Sequence, residues 1–178
     1  MMAVTVLPQQ FAIYREKGIL RRMRTTPVKP SAMLGAQLLM CTFLAIMTVI
    51  TLLTLALVAF EVDLPQNLAA YLVSYLLAAV SMFAMGMLVA SLAPNNKGAT
   101  AIGTVLLGPL LFFAGLWVPR DTMNDTLRTI SDLTPLGSGV QALHDATAGQ
   151  WPTLLAVVVM LGWTIAAGGL AARYFRWE

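Results

Sequence analysis

The chain has 178 residues, of which 58 % are hydrophobic and only 11 % are charged, with a net charge of +3. Soluble domains carry roughly 25 % charged residues, so this composition excludes an ordinary water-soluble globule. The basic residues flank apolar runs instead of lining one face, which argues against nucleic acid as a partner.

In chain order, Met1–Leu7 is apolar but too short to cross a bilayer, and reads as the remnant of a preceding helix. Gln9 to Arg24 is helix-compatible and mixes apolar with basic residues, and Pro27 ends it. Residues 31–60 carry no charge. As a helix they would extend about 45 Å, against a hydrocarbon core of about 30 Å, so they cross with tilt or project past the headgroups. Glu61, Asp63 and Pro65 close that span. A second span is expected over 68–93, then a tight polar turn from Pro94 to Gly98. A third apolar stretch covers 99–118, with a kink expected at Pro109 because proline lacks the amide hydrogen.

Residues 119–151 are mixed. Met123, Leu127, Ile130 and Leu133 approach helical spacing, with Asp125, Arg128 and Asp132 between them, as in a short amphipathic helix at a membrane interface. Pro135, Gly137 and Gly139 are expected to break it, and Val140 to Ala148 to form a second short helix. The pair would be a re-entrant or interfacial hairpin. The last span is expected over 152–172, with Trp151 at one boundary and Arg173, Tyr174, Phe175, Arg176 and Trp177 anchoring the other. The fold class is therefore all-α, a polytopic membrane helix bundle in a single domain 1–178.

Charge sets the orientation. Arg15, Lys17, Arg21, Arg22, Arg24, Lys29, Lys97, Arg173 and Arg176 fall on one side of the four spans, and only Arg120 and Arg128 on the other. The second side holds Glu61, Asp63, Asp121, Asp125, Asp132 and Asp145. Short Lys/Arg-rich loops resist translocation, so the basic side reads as cytoplasmic and carries both termini.

The chemistry of catalysis is missing from the sequence. No charged residue sits in the middle of a span, which disfavours an ion-coupled carrier and an intramembrane protease. His144 stands beside Asp145 with no nucleophile at a useful spacing, and reads as a solvated helix residue. No metal site is expected, and no phosphate-binding glycine loop is present. Cys41 lies in an apolar run as a small apolar residue.

The element Arg15-Glu16-Lys17-Gly18, followed by Leu20-Arg21 and Thr26-Pro27, resembles the cytoplasmic signature of ABC-2 type transporter permeases, the membrane subunits of ATP-binding-cassette exporters. Further pieces follow in the family's order: Ala114-Gly115-Leu116-Trp117-Val118-Pro119, then Leu133-Thr134-Pro135-Leu136, Val140-Gln141-Ala142-Leu143, and Gly149-Gln150-Trp151. Family members usually have six spans, so the chain looks like the C-terminal two-thirds of such a permease.

The resemblance implies a second permease subunit, as homo- or heterodimer, and a separate ATPase subunit that holds ATP and Mg, with no cofactor on this chain. It implies that Arg15, Glu16, Lys17, Gly18, Arg21, Arg22 and Pro27 belong to a coupling helix that docks on the ATPase. It implies an outer hairpin in which Gly115, Pro119 and Pro135 shape a gate. Uncharged spans suit a lipophilic or amphipathic substrate such as a drug, antibiotic or lipid, exported across the plasma or inner membrane. A polysaccharide is the alternative cargo. A non-transporting anchor or assembly subunit, or an inactive permease fragment, shares the same topology. The basic flank of residues 15–29 also suits contact with anionic membrane lipid.

Overall fold

The computed structural model describes residues 3–16, 30–60 and 65–174, and among these every regular element is helical. Seven α-helices follow one another: α1 (Val6–Glu16), α2 (Pro30–Phe60), α3 (Leu68–Leu92), α4 (Asn96–Phe113), α5 (Asp125–Asp132), α6 (Pro135–Thr147) and α7 (Leu154–Tyr174), with a 3-10 turn at Arg120–Thr122. Lys17, Gly18, Arg21, Arg22, Arg24, Pro27 and Lys29 lie outside the described residues. So do Glu61 and Asp63 after α2 and Phe175, Arg176 and Trp177 after α7.

Local chemistry accounts for where the helices begin. Asn67 Oδ1 accepts from Ala70 N (3.0 Å), Asn95 Oδ1 from Gly98 N (2.7 Å), Asn124 Oδ1 from Leu127 N (2.8 Å) and Thr134 Oγ1 from Gly137 N (3.1 Å). Each satisfies one of the amide hydrogens that a helix start leaves without a partner.

Among the described residues, three helices are long and apolar enough to cross a membrane: α2 over Gly35–Ala59, α3 over Leu68–Leu92 and α7 over Leu154–Tyr174. Only 6 % of the most apolar stretch of α2 is buried by the chain, against 44 % for α3. A helix apolar on every side and left uncovered needs an apolar solvent or another subunit around it. The fourth apolar run is also a helix, but a shorter one than expected. It ends at Phe113 instead of 118 and opens on the polar Asn96 and Lys97. Its 18 residues extend about 27 Å. Gly115 stops it: at φ +86° it adopts the left-handed conformation that glycine favours. Its amide donates to Phe112 O (3.1 Å) and that of Leu116 to Leu111 O (3.2 Å), the paired bonds of a Schellman end.

The hairpin differs from expectation in its second half. Pro135, Gly137 and Gly139 do not separate two helices, because all three lie in the first two turns of α6. Proline at the first helical position forfeits an amide hydrogen that would have had no partner anyway. The glycines are needed for contact. A Cβ on Gly137 would collide with the Ser131 carbonyl, and one on Gly139 would come within 2.8 Å of Ala78 Cβ.

The chain groups into two compact units. The first draws on the described parts of Met1–Cys41, Met82–Pro109 and Trp163–Glu178. Its core has Ala12, Ala93 and Ala99 in contact, with Ile102 against them. The second comprises Thr42–Ser81 and Leu110–Gly162. There Ala78 of α3, Ala142 of α6, and Ala156 and Met160 of α7 form the core, with Leu77 packed on it. Along α3 the buried positions Ala70, Ser74, Ala78, Ser81, Met85 and Val89 recur every three or four residues. Most are small, which allows close helix approach.

Candidate functional site

In the first unit, α1 is seated on α3 and α4. Leu7, Phe11 and Ala12 of α1, and Val4 just before it, are all at most 1 % exposed, so one face of this short helix is fully covered. The backbone leading into α1 rests on two glycines. A Cβ on Gly86 of α3 would run into the Ala3 carbonyl, and one on Gly103 of α4 would come within 2.6 Å of the Val4 carbonyl oxygen. Two polar ties complete the seat. Gln9 Nε2 donates to Thr100 Oγ1 at 3.1 Å. The amide of Asn96, the first residue of α4, donates to Glu16 Oε1 at 2.8 Å. A carboxylate at that point satisfies an unpartnered helical amide and meets the positive end of the helix dipole.

In the second unit, the organising side chain is Arg120. Its guanidinium forms an ion pair with Asp132 and donates to Ser131 Oγ (2.7 Å) and to Gly137 O (3.1 Å). Ser131 Oγ in turn donates to the carbonyl of Phe113. One side chain thereby ties the end of α4, the 3-10 turn, the end of α5 and the start of α6. The Arg120 side chain is 12 % exposed and that of Asp132 30 %, so the pair is shielded from water on most sides. Arg120 and Arg128 also border two cavities of about 360 and 350 Å³. The first runs from these arginines to Thr153, Leu155 and Ala156 at the start of α7. The second is bounded by Gly115, Pro119, Val140 and His144.

The residues singled out by sequence fall as follows. Glu16 is at the end of α1 and turned back onto α4, an intramolecular role not foreseen for it. Arg15 is in α1. Gly115 ends α4. Pro119 caps the 3-10 turn, its carbonyl accepting from Thr122 N at 3.0 Å. Pro135 begins α6 and is fully buried. Gly115 and Pro119 line one cavity, and Pro135 lines neither. Sequence reasoning missed Arg120, Ser131 and the Gly86 and Gly103 seats. One signal was available: Arg120 and Arg128 are the two basic residues set apart from the other nine.

The family model of the ABC-2 type transporter matches residues 1–147, from the approach to α1 through the end of α6. The chain belongs to that family. No curated protein and no solved structure matches it. As an ABC-2 family member it is a multi-pass membrane protein and the permease component of an ABC transporter, distinct from the ATPase with which such permeases work. The permease match takes in both the α1 seat and the Arg120 cluster, and α7 lies beyond it.

Proposed function

We propose that this permease forms the export path for a lipophilic or amphipathic substrate across the plasma or inner membrane, driven by a separate ATPase that holds ATP and Mg. In this reading α1 and the residues after it, from Arg15 through Lys17, Gly18, Arg21, Arg22 and Pro27, dock on that ATPase at the cytoplasmic face. Both termini lie on that side, where the basic flank also meets anionic lipid. The 18-residue α4 makes the fourth crossing, and the α5–α6 hairpin lies at the outer side, with Gly115, Pro119 and Pro135 shaping its bends. A second permease subunit completes the path and covers part of α2.

The observation that carries the reading is the seat of α1. A helix whose apolar face is fully covered, whose lead-in carbonyls sit on glycines of α3 and α4, and whose last carboxylate holds the first amide of α4 cannot shift alone. Interiors packed this closely transmit displacement instead of absorbing it. An ATPase moving the α1 segment would therefore move α3 and α4.

The test is reconstitution with the cognate ATPase in liposomes, reading ATPase co-purification and substrate-stimulated hydrolysis. Gly86→Val, which evicts the lead-in to α1, is expected to abolish stimulation while the chain still inserts. An unstimulated wild-type complex would favour the anchor role instead. Full stimulation in Gly86→Val would remove α1 from the coupling route.

A further inference from the structure

We propose that Gly108–Pro109 is a hinge within α4, about which the last turn of the helix and the hairpin bonded to it tilt while the first half stays fixed on α1. The helix is clamped on both sides of this dipeptide and loose between the clamps. On one side, Ala99 packs against Ala12 and Ala93, and Gly103 lies under the Val4 carbonyl. Thr100 Oγ1 and the Asn96 amide add bonds to Gln9 and Glu16 of α1. On the other side, Leu110 is buried, the Phe113 carbonyl accepts from Ser131 Oγ, and Gly115 closes the helix. None of residues 104–109 is buried, and Val105 is 73 % exposed. The division between the two compact units crosses α4 at this same place, between Pro109 and Leu110. In α7 it falls just after Gly162, a glycine with open space around it.

Proline supplies the weak point. Pro109 has no amide hydrogen to give the Val105 carbonyl four residues back, so one rung of the helix is missing where the chain covers it least. Sharp helix bends concentrate at such rungs. Gly108 lowers the stiffness further, since glycine costs a helix about 1 kcal/mol relative to alanine through its backbone freedom. At Gly86, Gly103, Gly137 and Gly139 the missing side chain makes room for a neighbour, whereas a Cβ on Gly108 would meet nothing within 4 Å. Nor is Gly108 left-handed, as Gly115 and Gly149 are. Neither contact nor turn geometry accounts for a glycine here, and freedom to bend does. Hinges of this kind absorb a change of angle in a few backbone dihedrals and leave the packed parts on either side intact. The hinge stands independently of the export reading, because its test reads bending and not transport.

The experiment uses the full chain, with Cys41→Ala, in phosphatidylcholine nanodiscs. Spin labels at Ala101→Cys in the first half of α4 and at Thr126→Cys on α5, both exposed positions, give a distance distribution by double electron–electron resonance. A pair at Thr126→Cys and Ala148→Cys, both within the second unit, sets the spread due to the labels themselves. The Ala101–Thr126 distribution is expected to be broader than this control, with its width roughly halved by Pro109→Ala, which restores the missing amide, and narrowed less by Gly108→Ala. Circular dichroism and thermal melting check that both variants fold, and Gly108→Ala carries the test if Pro109→Ala does not. A wild-type width equal to the control would mean a fixed bend and overturn the hinge. A broad distribution left unchanged in the folded variants would put the motion elsewhere and overturn it equally.

Discussion

Helix α1 is held by apolar burial and two glycine seats with a pair of polar ties at its edge, whereas α5 is tied to α6 by one guanidinium and its three acceptors, α6 itself packing through Ala142 on α3 and α7. The apolar faces differ accordingly. Phe11 and Leu7 are covered, while Ile130 is 42 % and Leu133 53 % exposed, and the fully buried residue of α5 is Ser131. Of the amphipathic pattern over 123–133, Met123 is buried and Leu127 half-buried, and it is Ile130 and Leu133 that turn away from the chain, as suits an element lying at a bilayer interface. A packed apolar seat transmits displacement through many small contacts. A hub concentrates its stability in one side chain and leaves polar space around it.

The sharpest break of this contrast is Phe11→Ala. It empties the centre of the α1 seat and is expected to cost about 3–5 kcal/mol. Thermal unfolding in detergent and earlier protease cleavage near α1 would report it, with hydrogen exchange in 119–137 left unchanged. Arg120→Met should do the reverse. It strands Asp132 and the Gly137 carbonyl and is expected to cost about 2–3 kcal/mol, moderated by the partial exposure of the pair. Hydrogen exchange should accelerate across 119–137 and stay unchanged in α1.

Glycine substitutions sharpen the seat itself. Gly86→Ala should destabilise by about 1–3 kcal/mol, since the Cβ meets backbone. Gly108→Ala, with open space around it, should be neutral or stabilise by up to about 1 kcal/mol. Equal melting shifts for these two would refute the seat. The smallest effect belongs to Glu16→Ala. Loss of the cap on Asn96 should cost about 0.5–1 kcal/mol, with Glu16→Gln in between and the difference shrinking at high salt. A melting series in rising salt checks it.

Much of the fold was legible because the determinants are local. Uncharged runs mark the long helices. Pro135 and Gly137 misled because their meaning depends on contact: beside Ser131 and Thr134 a glycine is required where isolation would make it a breaker. The Glu16 tie joins residues 80 apart in the chain, and the Arg120 bonds span 11 to 17. No periodicity or spacing encodes either pairing.

Sequence alone determined the solvent of this protein, its helical class and the separation of nine basic residues from two, because hydropathy and charge are properties of each residue wherever it lands. Tertiary structure alone decided that Glu16 serves α4, that Arg120 gathers three elements and that glycines admit the chain leading into α1. Those are distances between atoms far apart along the backbone, and only folding brings them within reach.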